Sequence, residues 1–164
     1  MSASTTILAS PVGPLRLVGD GTALTALEFS GGLVTEKATV TQDPLLVEAR
    51  RQLVAYFAGE LREFDLPLAP SGTEFQLRVW EQLRRIPFGT TASYGDIAAR
   101  LGMPPGASRA VGLANGANPL AIIVPCHRVI GSDGTLVGYG GGLHRKRFLL
   151  SLEAPTVQDS LFGD

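Results

Sequence analysis

The sequence predicts a two-lobed protein: an α/β lobe over residues 1–70, built from an antiparallel sheet with one helix, followed by a mainly helical lobe over 71–153 that contains a helix-turn-helix. Three observations predict it. Strand-like runs separated by turn residues fill the first thirty positions. At Pro70-Ser71-Gly72 the pattern changes to capped, helix-periodic segments. At the same point the charge changes sign, with five Lys and Arg against eight Asp and Glu up to residue 70, and nine against five from 71 to 153.

Taken in order, TTILAS, LRLVGD and ALTALEFS are the strands, punctuated by Pro11, Gly13-Pro14 and Gly19-Asp20-Gly21. In PLLVEARRQLVAYFA, residues 44–58, the spacing places Leu46, Ala49, Leu53 and Phe57 on one helical face, with Gly59 as the C-terminal stop. LREFDLPLAPSG reads as a short strand and a linker. Thr73 and Gln76 then form a capping box before a helix with Phe75, Val79, Leu83 and Ile86 on its apolar face, ended by Pro87. Ser93 and Asp96 repeat that device for SYGDIAARLG, and the MPPGA turn leads into SRAVGLANG, the second helix of a helix-turn-helix. The segment 154–164, with Pro155 and polar residues, is expected to fray.

Composition narrows the function. With 164 residues, 45% hydrophobic and 18% charged, the chain buries a core and is neither disordered nor fibrous. No run approaches a membrane span, and the N-terminus lacks the basic start and apolar stretch of a signal peptide, which places the protein in the cytoplasm. One cysteine excludes an internal disulfide, and one Cys with two His offers no zinc spacing; neither a metal nor a cofactor is expected. Arginine supplies eight of the nine cations of residues 71–153, which permits contact with phosphate.

Two features of the second lobe invite chemistry. The helix from Ser108 is rich in small residues, Ala107, Ser108, Ala110, Gly112, Ala114 and Gly116, with Arg109 near its start. Small residues allow a close approach, either to another helix or to a ligand. The solitary Cys126 follows the apolar run Ala121-Ile122-Ile123-Val124, read as a buried strand or extended segment, and precedes His127 and Arg128. Taken alone it is either a small buried hydrophobe or a thiol activated by nearby base and charge.

The combination of IPFGTTASYGDIA, SRAVGLANGANP, IIVPCHRVIG and GYGGG, in that order, resembles the methylated-DNA–protein-cysteine methyltransferases, or O6-alkylguanine-DNA alkyltransferases, over nearly the whole chain. The resemblance implies a ribonuclease-H-like N-terminal lobe and a C-terminal helix-turn-helix that enters the minor groove of double-stranded DNA. It implies a monomer, with cooperativity on DNA left open. The activity implied is direct reversal: an O6-alkylguanine, mainly O6-methylguanine and also O4-methylthymine, is flipped out of the duplex and its alkyl group passes irreversibly to Cys126, once per molecule. Through the same resemblance His127 is the base acting through a water, Glu153 orients it, Asn118 braces the turn, and Tyr94 donates a proton to the leaving base. Arg109 is the plug that fills the vacated stack, on the slim face with Ala110, Gly112 and Ala114. Tyr139 walls the pocket, Cys126 and Val129 offer carbonyls to the guanine amine, and Arg128, Gly140 and Lys146 are counted among the substrate or DNA contacts.

The chain departs from the family in two places. Gly140 stands where some relatives carry serine, which removes a hydroxyl from the pocket. The first lobe lacks the cysteines and histidines that bind zinc in some relatives, and the metal-binding cysteines of a fused transcriptional sensor, so a repair protein without structural zinc is expected. Two other readings compete: a lesion-binding protein without transfer activity, in which relatives replace the cysteine, and a cysteine hydrolase using a Cys-His pair.

Overall fold

A computed structural model describes residues 3–29, 39–136, 138–139 and 141–155. Three strands, β1 (Ser4–Leu8), β2 (Leu15–Gly19) and β3 (Leu24–Phe29), form an antiparallel meander in the order of the sequence. Registers run from Ser4 opposite Gly19 to Leu8 opposite Leu15, and from Leu15 opposite Phe29 to Gly19 opposite Leu24, with a bulge at Val18/Gly19. Because side chains alternate along a strand, Leu15 and Leu17 are wholly buried while Arg16 and Val18 are half-buried on the other face. Helix α1 (Pro44–Phe57) starts on an Asp43 cap, whose carboxylate accepts the Leu45 amide at 2.9 Å, and packs against β1 and β2. Its buried stripe is Leu46, Ala49, Gln52, Leu53 and Tyr56; Phe57, expected there, is only half-buried, because Tyr56 turns into the protein.

Segment 61–72 contains no strand ladder. It makes a single parallel bridge, Leu68 to Leu24, while Leu27 bridges Leu120 of the second lobe. These two contacts pair Leu24 and Leu27 on the outer edge of β3.

The second lobe comprises α2 (Glu74–Arg84), α3 (Tyr94–Arg100), α4 (Ser108–Gly116) and α5 (Leu143–Glu153), with a two-residue parallel pair between β4 (Ala92–Ser93) and β5 (Val129–Ile130). Both capping boxes form: the Gln76 amide donates to Thr73 Oγ1 at 3.1 Å and the Asp96 amide to Ser93 Oγ at 3.0 Å, each reciprocated by the side chain three residues on. A single 3-10 turn, Pro105–Ala107, joins α3 to α4. The indole of Trp80 on α2 donates to the Ala114 carbonyl on α4 at 2.8 Å, fixing the helix-turn-helix to the lobe.

One hydrophobic core runs through both lobes, from Leu15, Leu17, Leu27 and Leu53 to Val79, Leu83, Ile97, Val111, Leu120 and Leu149. Each such side chain contributes about 1.5–3 kcal/mol on burial, so the lobes stabilise each other. Among the described residues no helix is long and apolar enough to cross a membrane.

Candidate active site and recognition helix

The run 121–124 is a turn rather than a strand, and Ile122 adopts a left-handed φ of 72°. For a β-branched residue this costs about 1–3 kcal/mol and persists only where its surroundings enforce it. They do so through Asn118, whose side-chain amide donates to the Val124 carbonyl at 2.8 Å while its oxygen accepts the Leu120 amide at 3.0 Å. Strand β3 adds two bonds: the Leu27 amide donates to the Pro119 carbonyl at 2.9 Å and the Ala121 amide to the Leu27 carbonyl at 3.2 Å. Sequence pattern missed the turn because Ala-Ile-Ile-Val has strand composition; the tertiary bonds override that propensity.

The turn delivers Cys126 into a single 3-10 turn, Cys126–Arg128, and onto a cavity of about 360 Å³. Its wall brings together Tyr94, Gly112, Asn115, Asn118, Cys126 and Tyr139 with Leu27, Glu28 and Phe29 of β3. The sheet contribution was not legible in the sequence, since Phe29 lies 97 residues from Cys126 and nothing local links them. Phe29 meets the Tyr139 ring edge-on at 5.8 Å between centroids, and a side chain at Gly141 would stand 2.6 Å from Phe29 and 2.9 Å from Tyr139. Arg145 stacks over Phe29 at 4.9 Å and donates to the Val12 carbonyl at 2.8 Å, locking this wall across the lobes.

Burial pushes the Cys126 thiol up; the Asn118 amide, the Lys146 cation and Tyr139 draw it back toward the thiolate. The Tyr139 hydroxyl is itself raised, by burial first and then by the neighbouring Cys126. Tyr94, at the first position of α3, is half-buried and raised for the same two reasons.

Behind the cysteine lies a buried polar cluster. His127 Nε2 lies 2.7 Å from Glu153 Oε2 at the end of α5. Arg128 donates through Nε to Oε1 at 2.7 Å and through Nη2 to Oε2 at 3.0 Å, and through Nη1 to the Ile86 carbonyl at 2.7 Å. The Tyr56 hydroxyl of α1 donates to Oε2 at 2.5 Å. Burial alone would raise the Glu153 carboxyl, yet His127, Arg128 and Tyr56 hold it at about 2. Burial lowers His127, against the pull of Glu153. A neutral imidazole that gives its Nε2 proton to a carboxylate keeps a lone pair on Nδ1, which has no partner among the described residues.

Four expected contacts lie elsewhere. Arg128 is 6% exposed and faces Glu153, not a ligand, because a guanidinium buried this deeply requires a carboxylate. Lys146 is buried on α5, its ammonium donating to the Val129 carbonyl at 2.6 Å; that carbonyl is thereby engaged and Val129 is no part of the cavity wall. Ala114 faces inward, its carbonyl taken by Trp80. Gly140 falls outside the described residues. The outward face of α4 instead carries Arg109, Ala110 and Leu113, the last 73% exposed and not anticipated; Gly112 faces the Tyr94 ring, 3.7 Å from the position its Cβ would take.

The fold and the site define a class: a two-lobed helix-turn-helix protein with one buried cysteine beside a ligand-sized cavity and a His-Glu pair behind it. Residues 4–70 match the family model of the 6-O-methylguanine DNA methyltransferase ribonuclease-like domain, and residues 74–155 that of its DNA binding domain. The chain is 58% identical over 146 residues to a methylated-DNA–protein-cysteine methyltransferase of Mycobacterium bovis, covering 88% of each protein. It is 54% identical over 150 residues to one of Methanosarcina acetivorans, covering 90% of this chain and 96% of that one. The crystal structure of Mycobacterium tuberculosis O6-methylguanine methyltransferase superposes with a TM-score of 0.80 at 48% identity, over 98% of this chain and 99% of that one. That of Mycobacterium tuberculosis OGT in complex with DNA gives a TM-score of 0.80 at 57% identity over 90% of each. The chain belongs to the 6-O-methylguanine DNA methyltransferase family.

Proposed function

We propose that this protein repairs DNA by direct reversal, taking the alkyl group of an O6-alkylguanine onto Cys126 in a single, irreversible transfer. The observation that carries the reading is the solitary cysteine on the wall of a cavity of about 360 Å³, within the volume range of small-ligand sites, in a chain of this family. A base inside a duplex cannot reach such a cavity, so it must be flipped out. Helix α4 supports entry from the minor groove: Arg109 stands exposed at its start, beside the small Ala110, to fill the gap left in the stack.

In the step itself, Nδ1 of His127 takes the thiol proton through a water, and the Cys126 sulfur attacks the alkyl carbon in line. The new S–C bond forms as the C–O6 bond breaks, and guanine departs with a proton supplied from Tyr94. Glu153 holds His127 in the tautomer that leaves Nδ1 basic. Asn118 holds the turn and lowers the thiol. Arg128 and Lys146 act from inside the protein, the first on Glu153 and the second on Val129 and the electrostatics of Cys126. The thioether is stable and the chain has no second thiol to resolve it, so each molecule acts once. O4-methylthymine presents an equivalent alkyl–oxygen bond and is a secondary substrate. The protein acts as a cytoplasmic monomer.

Titrating protein against a duplex with one O6-methylguanine tests this: repaired lesions should level off at one per protein molecule. Continued turnover would instead indicate a hydrolase.

A further inference from the structure

The Glu153 carboxylate is the meeting point of three donors, and one of them comes from the other lobe. Tyr56 stands on the last turn of α1, is 1% exposed, and lies 97 residues from Glu153 in sequence. Its ring is set by three aromatic neighbours, Phe57 and Phe64 at 5.3 Å and Phe88 at 6.3 Å between centroids, so the hydroxyl has little freedom to point elsewhere. It donates to Oε2, the oxygen that also receives His127 Nε2 and Arg128 Nη2; among the described residues Oε1 receives Arg128 Nε alone. A hydroxyl buried against a carboxylate could be satisfied on either oxygen. Its placement on the one shared with histidine gives it a direct effect on that bond, because each donor to an oxygen reduces the charge available to the next.

We propose that Tyr56, carried by the N-terminal lobe, is a positioning residue of the acceptor site: its hydroxyl fixes the Glu153 oxygen on which His127 hangs and moderates how strongly that oxygen holds the imidazole N–H. The inference rests on the Cys126–His127–Glu153 relay proposed above, and makes the first lobe a working part of it. Tyr56 does not touch the substrate cavity.

The other charged or titratable groups facing the pair are Arg128 from the 3-10 turn, Lys146 from α5 and Tyr139 at the cavity, with Cys126 next to His127 in sequence. All of them remain when the Tyr56 hydroxyl is removed. With one donor fewer, Glu153 Oε2 becomes a stronger acceptor, the His127 imidazolium is favoured, and its midpoint rises. A more acidic phenol at the same position strengthens the donation and lowers it.

The test is histidine NMR on the full-length protein in which Tyr56 is replaced, Tyr56→Phe, and, separately, by 3-fluorotyrosine at position 56 alone. With only two histidines in the chain, His144→Gln identifies the His127 signals. The expected results are a His127 midpoint higher by about half a pH unit or more in Tyr56→Phe, a lower one with fluorotyrosine, and matching displacements of the pH profile of methyl transfer. The fluorotyrosine protein keeps the donor and the ring packing, so it remains informative if Tyr56→Phe folds poorly. Unchanged His127 midpoints and transfer profiles in both proteins would overturn the proposal. The underlying relay is tested apart from it by His127→Ala: if that variant transfers methyl at the parent rate, the relay itself fails whatever Tyr56 does.

Discussion

Arg128 lies in the most motif-like part of the sequence, two residues after the solitary cysteine, yet the structure commits it to the interior, and replacing it with methionine separates the two roles. In the folded protein its guanidinium makes two bonds to Glu153, at 2.7 and 3.0 Å, and one to the Ile86 carbonyl at 2.7 Å. Removing it leaves a buried carboxylate without its two-bond partner, with the Tyr56 and His127 contacts remaining among the described residues. Breaking a buried pair in this way costs about 3–5 kcal/mol, which for a chain of this length lowers the melting temperature by about 6–20 °C. Urea denaturation of Arg128→Met should show a lower midpoint with an unchanged slope, and the loss should persist at high salt, since a buried pair is poorly screened. DNA affinity of the folded variant, measured in a Cys126→Ala background, should keep the parent salt dependence. A variant of full stability whose DNA binding is weaker and less salt-dependent would refute the reasoning and return Arg128 to the DNA surface.

Arg109→Ala should behave in the opposite way, leaving stability within about 0.5 kcal/mol while slowing repair in duplex DNA far more than reaction with a free alkylated base; equal losses on both substrates would remove the plug role. Gly141→Ala should slow transfer and destabilise the protein, because its methyl group would meet Phe29 at 2.6 Å and Tyr139 at 2.9 Å; a parent-like rate would mean that this wall moves freely. Stability should fall as the solution is acidified. His127 is lowered by burial, so charging it below about pH 6.5 favours the unfolded chain. The Glu153 carboxyl is held at about 2, so its contribution is complete above the unfolded value of 4.5 and is lost between there and about 2. Linkage makes the carboxyl's share about 3 kcal/mol, and urea midpoints across this range, compared with Glu153→Gln, check it.

Sequence conveyed most readily what depends on local chemistry. The capping boxes at Thr73 and Ser93, the turn residues between the strands, and the apolar stripe of α1 each specify a structure within a few residues, and each forms, except that Tyr56 takes the place expected of Phe57 in the stripe. Local pattern failed where distant parts of the chain decide the outcome. Residues 121–124 have strand composition, but Asn118 and β3 hold them in a turn. Lys146 has the composition of a phosphate contact and Ala114 that of a slim outer face, yet both turn inward, because the direction a helical side chain faces is fixed by what packs around it. Phe29 and Tyr56 reach the site from the first lobe through a fold that brings β3 and α1 against the C-terminal lobe, and no spacing in the sequence encodes those approaches. The family resemblance pointed to Cys126 and His127; that Glu153 is also met by Arg128 and, from the first lobe, by Tyr56 became visible only in the fold.

The most direct measurement of the central claim is the mass of the intact protein after exposure to duplex DNA carrying one O6-methylguanine, with peptide mapping and with Cys126→Ala in parallel. The account predicts a gain of one methyl group, confined to the peptide containing Cys126, absent from the variant, and never exceeding one per molecule. No gain in mass while the protein still binds the damaged duplex would contradict it, and would make this member of the family a reader of the lesion instead of its acceptor.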